Sequence, residues 1–163
     1  MITPSKQVPK STITVPDRLV VFTFFSCGAL ASALGLLQMP ALIPSRLYFS
    51  AFLIVILVFS FSALGWLLHP LCFFAFGLYM EQSILSWYSS RHLSFWSDSQ
   101  FFVFGCLFIP AFFITGFRGL SLSAALLTSM NHPGLFARSA FQKDLLHIIL
   151  FSLFGFSVVF YFF

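Results

Sequence analysis

RLYFSAFLIVILVFSFSALGWLLHPLCFFAFGLYME, residues 46–81, carries no Lys, Arg, Asp or Glu between its first residue and its last. As a single helix, the 34 residues inside it would reach about 50 Å at ~1.5 Å per residue. The hydrocarbon core of a bilayer is only ~30 Å thick. The run is too long for one membrane span and short for two full ones, so the chain has to turn within it. His69-Pro70 is its polar breaker, and a proline removes a helical hydrogen bond. A turn there gives spans at about 48–67 and 70–89.

The rest of the composition agrees with lipid as the solvent. Hydrophobic residues make up 60% of the 163 residues and charged residues 7%, against about 25% charged in an ordinary soluble domain. The apolar runs are continuous rather than alternating, which favours helices over a transmembrane barrel. The expected class is therefore an all-α integral membrane protein of about five transmembrane helices (four to six), with Pro- and Gly-interrupted helices. The 26 Phe residues read as a lipid-facing lining. Basic residues are not interleaved with them, which argues against nucleic-acid binding. Cys27, Cys72 and Cys106 are spaced for neither a zinc site nor a disulfide framework and read as buried small hydrophobes.

Outward from the central run, residues 1–17 are polar, contain three prolines and read as a disordered cytoplasmic tail. The single helical membrane domain is expected over 18–163. Its first span, about 18–38, is rich in small residues. Gly28, Ser32 and Gly35 share a helix face at spacings of four and seven, which lets another helix of the same chain approach closely. Pro40 and Pro44 are expected to end it. Spans at about 101–117 and 141–163 complete the set, with 119–130 extending the fourth span, interfacial or re-entrant. Asp144 is placed in the first turn of the last helix, where it suits the helix dipole. Lys6, Lys10, Arg18, Arg118, Arg138 and Lys143 fall on one side of a five-span arrangement, and Arg46 and Arg91 on the other. Basic residues favour the inner face, so the N-terminus is expected in the cytoplasm and the C-terminus outside. A six-span arrangement would separate Arg118 from Arg138 and Lys143 and lose this bias.

Phe61–Trp87 and Phe101–Leu127 echo one another at an offset of 40. Gly65 matches Gly105 and Pro70 matches Pro110. These glycines and prolines, with Gly116 and Gly119, are candidate helix-break or packing positions. A duplicated broken helix would suit a transporter, where freed carbonyls and helix ends face a cavity. Glu81 is the sharpest single residue. If its helix starts at Pro70, Glu81 lies ~16 Å along the axis, near the midplane, where a carboxylate needs a partner or a proton. Arg118, Arg91 and His147 are the candidate partners. If the turn lies elsewhere, Glu81 marks the interface. Arg118 and His147 otherwise read as an interfacial arginine and a helix-packing polar residue.

The sequence lacks a His-Glu-x-x-His pair, a Gly-x-Ser-x-Gly elbow, a phosphate-cradling glycine loop and paired intramembrane carboxylates. A non-enzyme with no cofactor and no metal site is expected.

The stretch Phe61-Ser-Ala-Leu-Gly-Trp-Leu-Leu-His-Pro70, followed by a helix with Gly77, resembles the stage II sporulation protein M family. So does Phe108-Ile-Pro-Ala-Phe-Phe-Ile-Thr-Gly116, continuing as Phe-Arg-Gly-Leu-Ser-Leu-Ser123. The resemblance covers about Phe61–Ser123. Many relatives carry a glycine-plus-arginine element after the first Pro, where this chain has Phe76-Gly77-Leu78 and a charge only at Glu81. The resemblance implies a small bacterial cell-membrane protein of about five spans. It would act in endospore formation as a non-enzymatic scaffold or anchor for partners that remodel peptidoglycan during engulfment. The expected partners are the lipid bilayer and other membrane proteins, cell-wall hydrolases among them. The alternative is a small transporter or permease subunit with a site at the broken helices near Glu81. Oligomeric state is left open.

Overall fold

The computed structural model describes residues 16–37, 46–89, 95–131 and 138–162. They form five helices: α1 (Pro16–Ala33), α2 (Arg46–Ser60), α3 (Gly65–Ser89), α4 (Phe95–Asn131) and α5 (Arg138–Phe162). Among the described residues there is no strand. Two stretches, Phe102–Met130 and Phe141–Phe162, are long and apolar enough to cross a membrane by length and composition. The apolar parts of α1 and α2, Arg18–Ala33 and Leu47–Ser60, are shorter. The expectation of about five full-length spans is corrected to that extent.

The uncharged run turns at Phe61–Leu64, not at His69-Pro70. Ser62 explains the position. Its hydroxyl accepts the Leu64 amide at 3.2 Å and its carbonyl accepts the Gly65 amide at 3.0 Å, an N-cap arrangement that starts α3. Pro70 then lies inside α3 and Pro110 inside α4, so neither proline breaks its helix. Pro70 forfeits one helical bond, to the Trp66 carbonyl, and the helix continues through it. Of the alternatives for residues 119–130, extension of the preceding helix holds: they continue α4 without a break and form no separate interfacial or re-entrant segment. The expected tail over 1–17 lies outside the described residues except for Pro16 and Asp17. Pro16 opens α1, a position where a missing amide hydrogen is no loss.

Close approaches set the helix directions. A Cβ on Gly28 would collide with the Phe74 carbonyl, and one on Gly77 with the Phe25 carbonyl. Ser32 meets Glu81 one turn further along both helices, so α1 and α3 run parallel, 49 residues out of register. The small residues of α1 thus serve packing within the chain. Gly35 is not part of that face. It sits past the helix end with φ 69°. Its amide reaches the Ser32 carbonyl at 2.8 Å and the Leu36 amide reaches Ala31 at 3.0 Å. This Schellman closure ends α1 ahead of Pro40.

Helix α2 runs antiparallel to α3, pairing Phe59 with His69, Phe52 with Phe76 and Phe49 with Tyr79. Helix α4 is antiparallel to α3 and touches all four other helices. Its Ala111 meets Gly155 of antiparallel α5. The interior is aromatic. Phe49, Phe73, Phe76, Phe104, Phe108 and Phe112 are buried, with the Phe76 and Phe112 centroids 4.0 Å apart. Many of the phenylalanines therefore build the core rather than line its outside. Only Cys72 of the three cysteines is buried; Cys27 and Cys106 are exposed, and all three are free thiols.

Substituting Gly28 or Gly77 by Ala is expected to force α1 and α3 apart and to destabilise the fold by about 1–3 kcal/mol, the usual cost of overpacking. Gly105 has open space around it, with Ile109 at 3.9 Å from a would-be Cβ. Gly105→Ala should therefore stabilise by about 0.5–1 kcal/mol. Unfolding of the three purified variants in detergent, followed by circular dichroism, checks the opposite signs.

Candidate functional site

Polar side chains gather at two levels of the bundle. The lower level is the end that holds the α2–α3 turn. There His69 is fully buried and its Nδ1 donates to the Gly65 carbonyl at 2.6 Å. Its Nε2 faces Ser60 Oγ at 3.4 Å, and Ser60 donates to the Ile56 carbonyl at 2.7 Å. From α4, Ser123 donates to the Ser62 carbonyl at 2.6 Å. Gly119 lets the helices close over the cluster, because a Cβ there would strike Ser60 and come within 2.7 Å of His69 Nε2. A Cβ on Gly65 would strike the Phe59 carbonyl, and one on Gly116 would strike the Phe73 ring. The turn's polar groups are thus served from within the protein, and His69, the titratable group among them, is fully buried.

On the α5 side of the same level, Arg118 pairs with Asp144 at 3.0 Å. Ser121 donates to the other carboxylate oxygen at 2.8 Å. Asp144 is the seventh residue of α5, so its partners are these side chains rather than the first helical turn. His147 donates from Nδ1 to the Lys143 carbonyl of its own helix at 2.6 Å. The parallel register places Arg18 of α1 level with Leu67, hence with the α2–α3 turn.

The upper level holds Glu81. Ser32 donates to its carboxylate, and Gln82 Nε2 donates to Ser32 Oγ at 2.8 Å. The Ser32–Glu81 pair repeats the 49-residue offset of Gly28 and Gly77, one turn further along the same two helices. Glu81 is about 24 Å along α3 from Gly65, not at mid-helix. The α2–α3 register puts the backbone of Arg46, where α2 starts, at about the same height. Neither Arg118 nor His147 is its partner, and Arg91 lies outside the described residues. The signal for Ser32 was legible only through the pairing of Gly28 with Gly77.

Pro70 borders an apolar groove of about 690 Å³ between α1, α3 and α4, lined also by Val20, Phe24, Trp66, Leu71 and Leu120 among others. Pro110 and Gly105 do not line it, so the Gly-x4-Pro echo has no common setting. Gly65 opens a helix, whereas Gly105 lies well inside one. Among the described residues, no three His, Cys, Asp or Glu converge as metal ligands would. No family model matches the chain, and neither a curated protein nor a solved structure is similar to it.

Ser123→Ala removes one of the two donors to the Ser62 carbonyl, which keeps the Gly65 amide. A loss of about 0.5–1.5 kcal/mol is expected, read as a lower unfolding midpoint.

Proposed function

We propose that the chain is a five-helix integral membrane protein that acts as a non-enzymatic scaffold or anchor. The observation carrying this reading is a belt free of charge. Between the levels of Arg18 and Arg118 at one end and Glu81 at the other, none of the five helices bears a Lys, Arg, Asp or Glu. Around that belt Leu19, Leu30, Ile54, Val58, Leu71 and Leu153 are each more than half exposed. Monomers in water rarely expose contiguous apolar patches beyond a few hundred Å². Acyl chains accept such a surface without cost.

Arg18, Arg118 and Lys143 share the lower level, which by the preference of basic residues for the inner face is the cytoplasmic one. The N-terminus is then inside and the C-terminus outside. Single cysteines in a background with Cys27, Cys72 and Cys106 replaced test this. Leu36→Cys, at an exposed upper-level residue, should react with an impermeant maleimide on intact cells. Leu64→Cys, at the exposed lower turn, should react only after permeabilisation. The reverse pattern would refute the orientation, and recovery of the protein in the soluble fraction would refute the membrane assignment.

The scaffold role follows the sporulation-type resemblance of Phe61–Ser123. Its supporting feature is that the two matched stretches pack on each other, Ser62 and His69 against Gly119 and Ser123, as a rigid internal unit. The transporter alternative needs polar groups converging near Pro70 and Pro110, whereas Glu81 is bonded to Ser32 at the bundle's upper end. Glu81→Gln keeps a hydrogen-bonding group for Ser32 and is expected to leave folding and partner binding unchanged. Tagged protein from sporulating cells should retrieve cell-wall hydrolases, for both the native chain and this variant. Repeated recovery without a hydrolase would sink the scaffold role. Solute uptake by reconstituted protein that Glu81→Gln abolishes would establish the transporter instead.

A further inference from the structure

The five helices are unequal. Helices α3, α4 and α5 have 25, 37 and 25 residues, but α1 has 18 and α2 only 15. Helix α2 is about 22 Å long at ~1.5 Å per residue. It begins at Arg46 and ends in the Ser60–Ser62 polar cluster, whose seryl and histidyl groups are already bonded in place. From Arg18 to Ser32, which bonds Glu81, α1 also covers about 21 Å. From Gly65 to Glu81, α3 covers about 24 Å. Tilt reduces the thickness a helix crosses and never increases it. These limits recur on two helices that do not touch each other, so the short belt belongs to more than one face of the bundle.

On these grounds we infer that the surface is built for a bilayer thinner than the common ~30 Å core, with a hydrocarbon thickness of about 21–24 Å beside α1 and α2. This inference rests on the membrane assignment proposed above. The occupant of the belt is the acyl-chain region of short-chain phospholipid, or of longer lipid thinned locally by the protein. The chemistry that selects it is charge at both rims. Arg18 and Arg118 stand at one rim and Glu81 at the other, and Ile54 and Val58 of α2 face outward between them. A thicker core would draw the Ser32–Glu81–Gln82 cluster and the α2–α3 turn into hydrocarbon, at a modest penalty for each ångström of mismatch.

Reconstitution of the full chain into phosphatidylcholine vesicles with monounsaturated chains of graded length tests this, with chains of 14, 16, 18, 20 and 22 carbons as the probes. Stability against denaturant should peak at the 14- or 16-carbon chains and fall steadily beyond them. A peak at 18 carbons or longer, or no dependence on chain length, overturns the inference and leaves the membrane assignment standing. Failure to float with vesicles of any chain length overturns both. A second readout is independent of stability. Nitroxides at Leu47 and Leu64, exposed near the two ends of α2, should be open to a water-soluble nickel relaxant in 14-carbon bilayers and shielded in 22-carbon bilayers. Shielding of both positions in 14-carbon bilayers would also overturn it.

Discussion

A chain that reverses direction without a charged residue can still satisfy the backbone of the turn from its own side chains. The rest of this fold depends on how that is done at Phe61–Leu64. Ser62 supplies both an N-cap oxygen for Leu64 and a carbonyl for Gly65. That carbonyl also accepts a second donor, the Ser123 hydroxyl of α4. The Gly65 carbonyl is taken by His69. Because Ser123 and Gly119 must reach the turn, α4 is held against α2 and α3 at this height. The register of α4 then fixes that of α5 through Arg118 and Asp144. An unpaired buried amide or carbonyl would cost about as much as a lost hydrogen bond, and far more in hydrocarbon than in water.

Above the turn, shape rather than polarity holds the helices. In the proposed membrane setting, lipid tails are as apolar as leucine, so burial from lipid contributes little to helix association and close packing has to supply the attraction. Two devices are visible. Gly28 and Gly77 bring the α1 and α3 backbones into contact. Between α2, α3 and α4, Phe49, Phe76, Phe108 and Phe112 stack or meet edge to face, arrangements worth about 0.5–1.5 kcal/mol per pair beyond area burial. The abundance of phenylalanine is therefore structural as well as compositional. Gly116 belongs to the same device, since it leaves room for the ring of Phe73.

The helical class and the approximate helix positions were legible in the sequence because apolar runs and polar interruptions mark them at the scale of whole elements. The place of the turn was not. His69-Pro70 carries the conspicuous breaker residues, but a proline six positions into a helix forfeits a single bond, whereas Ser62 three residues before Gly65 offers a cap. Moving the turn moves Glu81 from the midplane toward the upper end, the other outcome its position allowed. The small-residue face of α1 was readable at Gly28 and Ser32 and misread at Gly35, which closes the helix instead of packing it. Arg118 was readable as an edge residue, but its partner Asp144 lies 26 positions away, and nothing local in the sequence couples the two. Gly65 and Gly105 share a spacing to proline without sharing an environment, because only Gly65 stands at a helix start beside another backbone.

These features bear jointly on what kind of work the molecule can do. Among the described side chains, one glutamate, one aspartate and two histidines are engaged with structural partners: Glu81 with Ser32, Asp144 with Arg118 and Ser121, His69 with Gly65, and His147 with Lys143. Groups held in this way set helix register and mark the ends of the charge-free belt. A transport cycle would need at least one of them to exchange its partner for a solute. Meanwhile α4 continues past the turn from Gly119 to Asn131, about 18 Å at ~1.5 Å per residue, further than α2 and α3 reach at that end. Its antiparallel partner α5 begins with Arg138 and carries Lys143. The chain thus extends its basic end outward while keeping its polar interior closed, a division that fits the proposed scaffold role better than passage of a solute through the middle.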